Sequence, residues 1–268
     1  LIVFAAGSGI VFKYSLLIPV YGILISSISY ISKYFFGATY GVWGLNIPTA
    51  RKKFFPFLEN FSNCSIASEA PIPSLNYATE RPQGRKLSSD GKKNPDEKPS
   101  LIIEHPDVRR MLLFQKSMSE GSLSLVLLAA KYYDLENTAE SDDEKYKYKT
   151  LLEMIIPVVK TYPSEAGNIS VSNGIQVLGG YGYCSDFILQ QYYRDIRIAS
   201  IYEGTTGIQS QDLLGRKITM DNGKGLELLS GEILKCISKA KNYKDLIEYS
   251  QKLKEMINRY QEIIGKES

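Results

Sequence analysis

Histidine and cysteine are scarce in this sequence, and their scarcity excludes several kinds of active site. The single histidine, His105, rules out sites that need two or three imidazoles, and a Ser-His-Asp triad would have to be built around it. The three cysteines, Cys64, Cys184 and Cys236, lie far apart with no CxxC spacing. This argues against a zinc site, a thioredoxin-like motif or a disulfide framework. We therefore expect no metal site and a reducing, cytoplasmic compartment.

Neither sign of charge predominates, because the formal net charge is only +3 over 268 residues. The one long basic cluster lies in the Ser-, Gly- and Pro-rich stretch from Lys86 to Ser100, which we interpret as a solvated loop. Nucleic-acid binding requires a dense basic face, so DNA and RNA are not expected partners. The hydrophobic fraction of 44% is ordinary for a globular protein. Carboxylate or redox chemistry becomes the stronger expectation.

The first fifty residues have almost no charge, since Lys13 and Lys33 are the only charged side chains there. Charges become frequent afterwards, so we place a boundary within residues 51–63 and treat residues 1–63 as an unassigned apolar segment. The sequence begins with Leu1 inside an apolar run rather than with Met. From this we expect a fragment or a misjoined reading frame.

The uncharged stretch of residues 14–32 approaches the roughly 20 apolar residues that a membrane helix needs. The basic residues 51–53 would then mark a cytoplasmic flank. Several serines and Pro19 weaken this interpretation. Two alternatives stay open: a buried β-rich remnant, and translated sequence that was never selected to fold. Membrane association through residues 14–32 is therefore one of three hypotheses.

Helical periodicity dominates the rest of the chain. His105-Pro106-Asp107 predicts a helix start, because proline is pre-organised for the first turn and Asp107 suits the positive end of the helix dipole. The apolar face of this helix is predicted to comprise Val108, Met111, Leu112, Gln115, Met118, Ser122, Leu125, Val126 and Ala129.

Further helices follow a polar link at residues 136–144. The pattern predicts a second helix that is kinked at Pro157, and a third over residues 165–178 that stops at Gly179 and Gly180. We predict that Ser185 or Asp186 caps a fourth helix, and that Thr205 or Thr206 caps a fifth that ends near Gly215.

These patterns predict an all-α fold, an antiparallel helical bundle over residues 64–220. The unassigned apolar segment precedes the bundle. Residues 221–268 carry a further amphipathic stripe and are interpreted as the start of an additional helical extension. No strand pattern of comparable strength follows residue 51.

Three sequence blocks surround an isolated carboxylate. They are QVLGGYGY at 176–183, YYRDIR at 192–197 and IYEGTTGIQ at 201–209. Together they offer two glycine-relaxed turns and a carboxylate just before a helix amino terminus, a plausible site for an anionic ligand beside a base. Arg194, Asp195 and Arg197 are also explained by ion pairs within or between helices. Core and interface packing explains the tyrosines Tyr181, Tyr183, Tyr192 and Tyr193.

In this order and spacing the blocks resemble the carboxy-terminal signature of the acyl-CoA dehydrogenase flavoprotein family. YATER at 77–81 and IEHPD at 103–107 fit the family's preceding helices, so the resemblance covers about residues 65–217. The sequences SEAGN at 164–168 and DFILQQYYRD at 186–195 are most similar to the branch that includes 3-methylmercaptopropionyl-CoA dehydrogenases.

The resemblance implies an FAD-dependent α,β-dehydrogenation of an acyl-CoA thioester. Glu203 matches the glutamate that removes the α-proton while a hydride passes from the β-carbon to the flavin, and Tyr202 and Gly204 match substrate-binding positions. A carboxylate base for this step needs an apolar setting under substrate and flavin. The neighbours Ile201 and Tyr202 lead us to expect such a setting. The alternative for Glu203 is a carboxylate placed only for the helix dipole.

The resemblance also implies that FAD lies across a subunit interface. Arg81 and Gln83 would contact it from one side and Gln176, Gly179 and Gly180 from the other, with Thr205 as a helix cap, a flavin ligand or both. Implied partners are a second copy of the chain, in a dimer or tetramer formed through the helical domain, and an electron-transfer flavoprotein or similar acceptor. His105 is interpreted as a helix-start residue rather than a ligand.

The family's amino-terminal helical domain and β-barrel have no counterpart that we can match here, since residues 1–50 are too few for both. We therefore expect an incomplete catalytic unit. The alternative function is a non-catalytic helical remnant or a membrane-tethered interaction domain. The DNA-associated branch of the same superfamily is disfavoured by the weak charge balance.

Overall fold

The computed structural model describes residues 70–86, 91 and 96–267, and within them the fold is all-α, as predicted. The eight α-helices of this part are α1 Pro71–Glu80, α2 Pro106–Thr138, α3 Asp142–Leu178, α4 Gly180–Tyr183, α5 Leu189–Ala199, α6 Thr206–Gln211, α7 Lys224–Ala240 and α8 Ile247–Glu267. Short 3₁₀ turns occur at Ile102–Glu104, Met220–Gly223 and Lys244–Leu246, and Asp212–Lys217 forms a π-helical turn.

The predictions for residues 1–63, including the candidate membrane segment at 14–32 and its separation from the bundle, lie outside the described residues. Among the helices that are described, none combines the length and the apolar character needed to cross a membrane.

The described residues fall into two compact units. The first unit contains residues 70–126 and 159–206, and the second contains residues 127–158 and 207–267. The predicted division at residue 220 stays a prediction.

The core of the first unit forms where α1, the beginning of α2, the end of α3 and α5 meet. Its buried members are Ala70, Ala78, Ile102, Met111, Val171, Val177, Leu178, Leu189 and Ile196. Gln115 donates to the Ser170 carbonyl at 3.1 Å, and Tyr162 donates to the Met118 sulfur at 3.4 Å. Positions rise along α2 as they fall along α3, so these two helices run antiparallel here. The predicted start of α2 at Pro106 and its inward face are confirmed.

The prediction of separate second and third helices is wrong, because α3 is a single helix from Asp142 to Leu178 that contains both Pro157 and Pro163. The kink predicted at Pro157 stays a prediction. An interior proline costs about 3 kcal/mol. Buried side chains before and after Pro157, including Leu151, Ile155 and Val159, supply packing that outweighs this cost.

The polar link before α3 is shorter than predicted, because α2 continues to Thr138 and α3 starts at Asp142. The Ser141 hydroxyl accepts from the Glu144 amide at 3.3 Å, and acidic residues occupy the first turn of α3. This is the arrangement expected of a capped helix start.

The predicted cap of α5 is also wrong. The helix begins at Leu189 after Ile188, and no side chain caps it. Backbone turns replace Ser185 and Asp186, since Phe187 N donates to Cys184 O at 3.2 Å and Gln191 N to Ile188 O at 3.0 Å. Helix α6 starts at Thr206, and the π-helical turn prolongs it past Gly215 to Lys217. The cap predicted at Thr205 or Thr206 stays a prediction.

The second unit contains a buried lysine, Lys217, and a small set of apolar contacts. Tyr132 and Tyr148 stack with ring centroids 6.3 Å apart. Gly225 lies so close to Met154 that a Cβ atom there would be 2.7 Å from the Met154 sulfur. Ile257 and Tyr260 of α8 both belong to the amphipathic stripe predicted for residues 221–268. Ile257 is buried while Tyr260 is exposed, so only part of this stripe faces inward.

Gly182 provides a test of the packing around α4. A Cβ atom at this position would lie 2.7 Å from the Ile175 carbonyl oxygen, which is backbone and cannot rotate away. We expect Gly182→Ala to destabilise the protein by about 1–3 kcal/mol in urea denaturation followed by circular dichroism. Gly180→Ala is the matched control, because nothing lies within 4 Å of its Cβ position. Equal stability of the two variants would contradict the observed packing.

Candidate active site

Glu203 lies in a tight segment between α5 and α6. The end of α5 closes with turn bonds from Ser200 N to Arg197 O at 3.3 Å and from Tyr202 N to Ile198 O at 3.2 Å. Glu203 then takes a positive φ of 53° and Gly204 a φ of 90°, and α6 begins at Thr206. A positive φ is uncommon for a residue with a side chain, and such strain persists only where the surroundings hold it.

Helix α3 holds this segment by three side chains. The Lys160 ammonium donates to the Gly204 carbonyl at 2.6 Å, and the Thr206 hydroxyl donates to the Glu165 carboxylate. The Asn168 amide donates to the Ser200 hydroxyl at 3.1 Å. Lys160 itself is buried, with 7% exposure. The backbone on both sides of Glu203 is therefore fixed to one rigid helix.

Arg81 and Gln83 lie in the non-helical segment, residues 81–86, that follows α1. Arg81 O accepts from Ile102 N at 2.9 Å, Gln83 N donates to Ser100 O at 2.8 Å, and Pro82 forms an isolated antiparallel bridge with Leu101. The His105 ring nitrogen Nε2 is 2.7 Å from the Gln83 carbonyl oxygen. His105 thus precedes α2, as predicted, and also contacts the segment of residues 81–86.

The turn after α3 meets Arg81. Gly179 has a φ of 62° and a ψ of −138°, and both it and Gly180 have open space where a Cβ atom would be. The Arg81 guanidinium lies 5.9 Å from the centre of the Tyr181 ring, which packs against Tyr77 and Phe187. A positive charge and a glycine-rich backbone are therefore adjacent within one chain.

The remaining predicted site residues differ in exposure. Gln176 and Thr205 are exposed, and Tyr202 and Gly204 are half-buried beside Glu203. The structure thus places Arg81 over the ring of Tyr181, the residue after Gly180, while Tyr202, Gly204 and Thr205 flank Glu203 along the chain.

Residues 92–218 match the model of the acyl-CoA dehydrogenase C-terminal domain. This region belongs to the acyl-CoA dehydrogenase family. The match spans Glu203 and the turn at Gly179 and Gly180, so the resemblance in the signature blocks is confirmed.

Two curated relatives illustrate the match of this acyl-CoA dehydrogenase domain. The 3-methylmercaptopropionyl-CoA dehydrogenase of Ruegeria pomeroyi is 38% identical over 160 residues, 60% of this chain and 26% of the relative. The broad-specificity linear acyl-CoA dehydrogenase FadE5 of Mycobacterium tuberculosis is 39% identical over 164 residues, again 60% and 26%. The chain thus spans about a quarter of the length of these relatives.

A solved structure shares the fold. Caenorhabditis elegans ACDH-11, crystallised in complex with C11-CoA, matches with a TM-score of 0.67 and 21% identity. The match covers 79% of this chain and 32% of the ACDH-11 chain. This likeness supports the helical architecture of the acyl-CoA dehydrogenase domain.

Two expectations about the site of this domain need correction. The apolar setting predicted for Glu203 is not formed by its neighbours, because the Glu203 side chain is exposed and Ile201 is 49% exposed. In the described part of the chain, neither Arg194 nor Arg197 forms an ion pair, and Asp195 instead accepts from Gln191 at 2.7 Å. All three residues are exposed, because the fully buried positions of α5 are Leu189, Ile196 and Ala199.

The tyrosines divide between packing and exposure. Tyr181 joins an aromatic cluster and Tyr192 packs against the core of the first unit. Tyr183 and Tyr193 are exposed, at 82% and 43%. Contacts among the described residues therefore account for Tyr181 and Tyr192, and interface packing stays a prediction for Tyr183 and Tyr193.

Sequence reasoning missed the α3 side chains that hold the Glu203 segment. The available signal was a polar residue at every fourth position, Lys160, Ser164 and Asn168, within an otherwise apolar helix face. Such a row predicts a buried polar contact along one side of the helix, but its partner lies more than thirty residues away in sequence.

Proposed function

We propose that this domain carries the base of an FAD-dependent acyl-CoA dehydrogenase, with Glu203 as that base. The observation that carries the proposal is the backbone of Glu203, held at positive φ by bonds to α3 within the matched family region. A segment fixed in this way holds the Cα–Cβ bond of Glu203 in one direction, which helps to position a base for proton transfer.

The reaction balances as the loss of one proton and one hydride from the acyl group. Glu203 takes the proton from the α-carbon, and the electron pair of that C–H bond forms the new α,β double bond. Bound FAD would supply the acceptor for the hydride that leaves the β-carbon. Tyr202 and Gly204, which flank the carboxylate, would hold the thioester end of the substrate against it.

The residues beside Arg81 fit the pyrophosphate of FAD. The Nε atom of Arg81 is buried and lacks a hydrogen-bond partner among the described residues, so a donor is available for an anion. The open backbone at Gly179 and Gly180 lets a ligand approach closely. Gln83, Gln176 and Thr205 would complete the contacts.

A second copy of the chain and an electron-transfer flavoprotein are the proposed protein partners. Exposed apolar side chains of the first unit, including Tyr183, Ile188 and Ile198, support a cover supplied by another subunit. Such a cover would also give Glu203 the apolar setting that its own neighbours do not provide.

A non-catalytic helical domain is the second candidate function. The exposure of Glu203 and Ile201 favours it, because a base that stays solvated cannot take a weakly acidic α-proton efficiently. Flavin binding separates the two candidates.

We expect the 268-residue chain to bind added FAD, and Arg81→Met to weaken this binding about tenfold through loss of a charge-assisted hydrogen bond. Isothermal titration calorimetry measures both affinities. Arg109→Met is the matched control, because it removes an exposed charge from α2 and should leave the affinity unchanged. If the parent chain binds no FAD, or if both variants behave alike, the assignment of Arg81 fails.

A further inference from the structure

A buried lysine contacts the backbone next to the proposed base. Lys160 is only 7% exposed, and its ammonium donates to the Gly204 carbonyl at 2.6 Å. Burying an ammonium group is costly unless it is well bonded. A methionine of similar length would fill the same space without that cost, so the charge must serve a contact that an apolar side chain cannot make.

The contact falls at the point where the chain is strained. Glu203 and Gly204 both have positive φ, and the bond from Lys160 fixes the carbonyl that directly follows them. On either side, Asn168 holds Ser200 and Glu165 holds Thr206. Without these bonds, Glu203 would relax toward the negative φ that residues with side chains prefer.

We propose that Lys160 is a positioning residue for Glu203, acting through the Gly204 carbonyl; the catalytic part of this inference rests on the proposed function. The Lys160 ammonium bonds the Gly204 carbonyl, one residue after the carboxylate. It fixes the peptide that follows Glu203 to α3, and so determines where the carboxylate stands. Asn168 and Glu165 provide the two outer anchors of the same segment.

Hydrogen–deuterium exchange of the 268-residue chain tests the anchoring without any cofactor. We expect Lys160→Met to speed amide exchange in the peptide that covers residues 200–207 by about tenfold or more, because local opening no longer breaks a charge-assisted bond. Lys149→Met, which removes an exposed lysine from the same helix, is the matched control and should leave that peptide unchanged.

A peptide from α2 reports global unfolding in the same experiment. Should Lys160→Met accelerate α2 equally, Thr206→Val decides, since it releases an outer anchor while the buried Lys160 ammonium keeps its bond to Gly204. Faster exchange confined to residues 200–207 then supports the anchoring. Exchange of that peptide within twofold of the parent in both variants overturns it.

The catalytic consequence is measured in an FAD-loaded fusion of residues 70–268 to the preceding domains of a related dehydrogenase. Lys160→Met should lower kcat about tenfold and change KM less than twofold, with the flavin content retained. A rise in KM at constant kcat would overturn the positioning role. If Glu203→Gln is as active as the parent while Lys160→Met still frees the segment, the proposed function fails and the anchoring stands.

Discussion

Glu203→Gln is expected to slow reduction of the flavin by acyl-CoA by a factor of about 10²–10⁴ in the FAD-loaded fusion. Glutamine keeps the size and hydrogen-bonding capacity of the side chain but cannot accept the α-proton. The bond from Lys160 to the Gly204 carbonyl and the bond from Thr206 to Glu165 do not use the Glu203 side chain, so the substitution should leave both in place. Stopped-flow measurement of flavin bleaching gives the rate directly.

Flavin content in the same preparation makes this result interpretable. Arg81, Gly179 and Gly180 lie in a separate group, so the Gln variant should retain its FAD. Glu140→Gln, which removes an exposed carboxylate before α3, is the control and should reduce at the parental rate. An unchanged rate for Glu203→Gln would show that another group takes the proton. Loss of flavin would instead assign Glu203 a structural role.

Local periodicity was sufficient to predict the helical class and the inward face of α2. Met111, Gln115, Ser122 and Val126 recur at helical spacing, and tertiary packing agrees with that pattern. Local rules failed between the predicted second and third helices, where the preference of Pro157 and Pro163 against helix interiors is outweighed by burial of the residues around them. A preference read from one residue cannot include the packing of distant helices.

The candidate site shows the same limit. The signature around Glu203 was visible in the sequence because its residues are contiguous. The support from Lys160 and Asn168 was not visible, because it depends on which face of α3 meets the end of α5. The exposure of Glu203 was likewise missed, since apolar neighbours in sequence do not cover a side chain that the backbone turns outward.

A buried ion pair in the second unit predicts the largest effect on stability. Lys217 is 3% exposed, and its ammonium pairs with Glu153 of α3 while Asp212 lies 3.9 Å away. The π-helical turn over Asp212–Lys217 places the lysine there. Glu153→Gln removes the principal counter-charge and leaves the ammonium buried.

We expect Glu153→Gln to lower the free energy of unfolding by about 2–3 kcal/mol, below the usual cost of breaking a fully buried pair because Asp212 and partial exposure of Glu153 soften the loss. Urea denaturation followed by circular dichroism measures it. Glu227→Gln is the control, because it breaks an exposed pair with Lys224 and should cost less than about 0.5 kcal/mol.

Adding Lys217→Met to Glu153→Gln removes the orphaned charge and should recover most of the loss. If the double variant is no more stable than Glu153→Gln alone, the uncompensated ammonium is not the cause, and the carboxylate of Glu153 must stabilise the unit through other contacts.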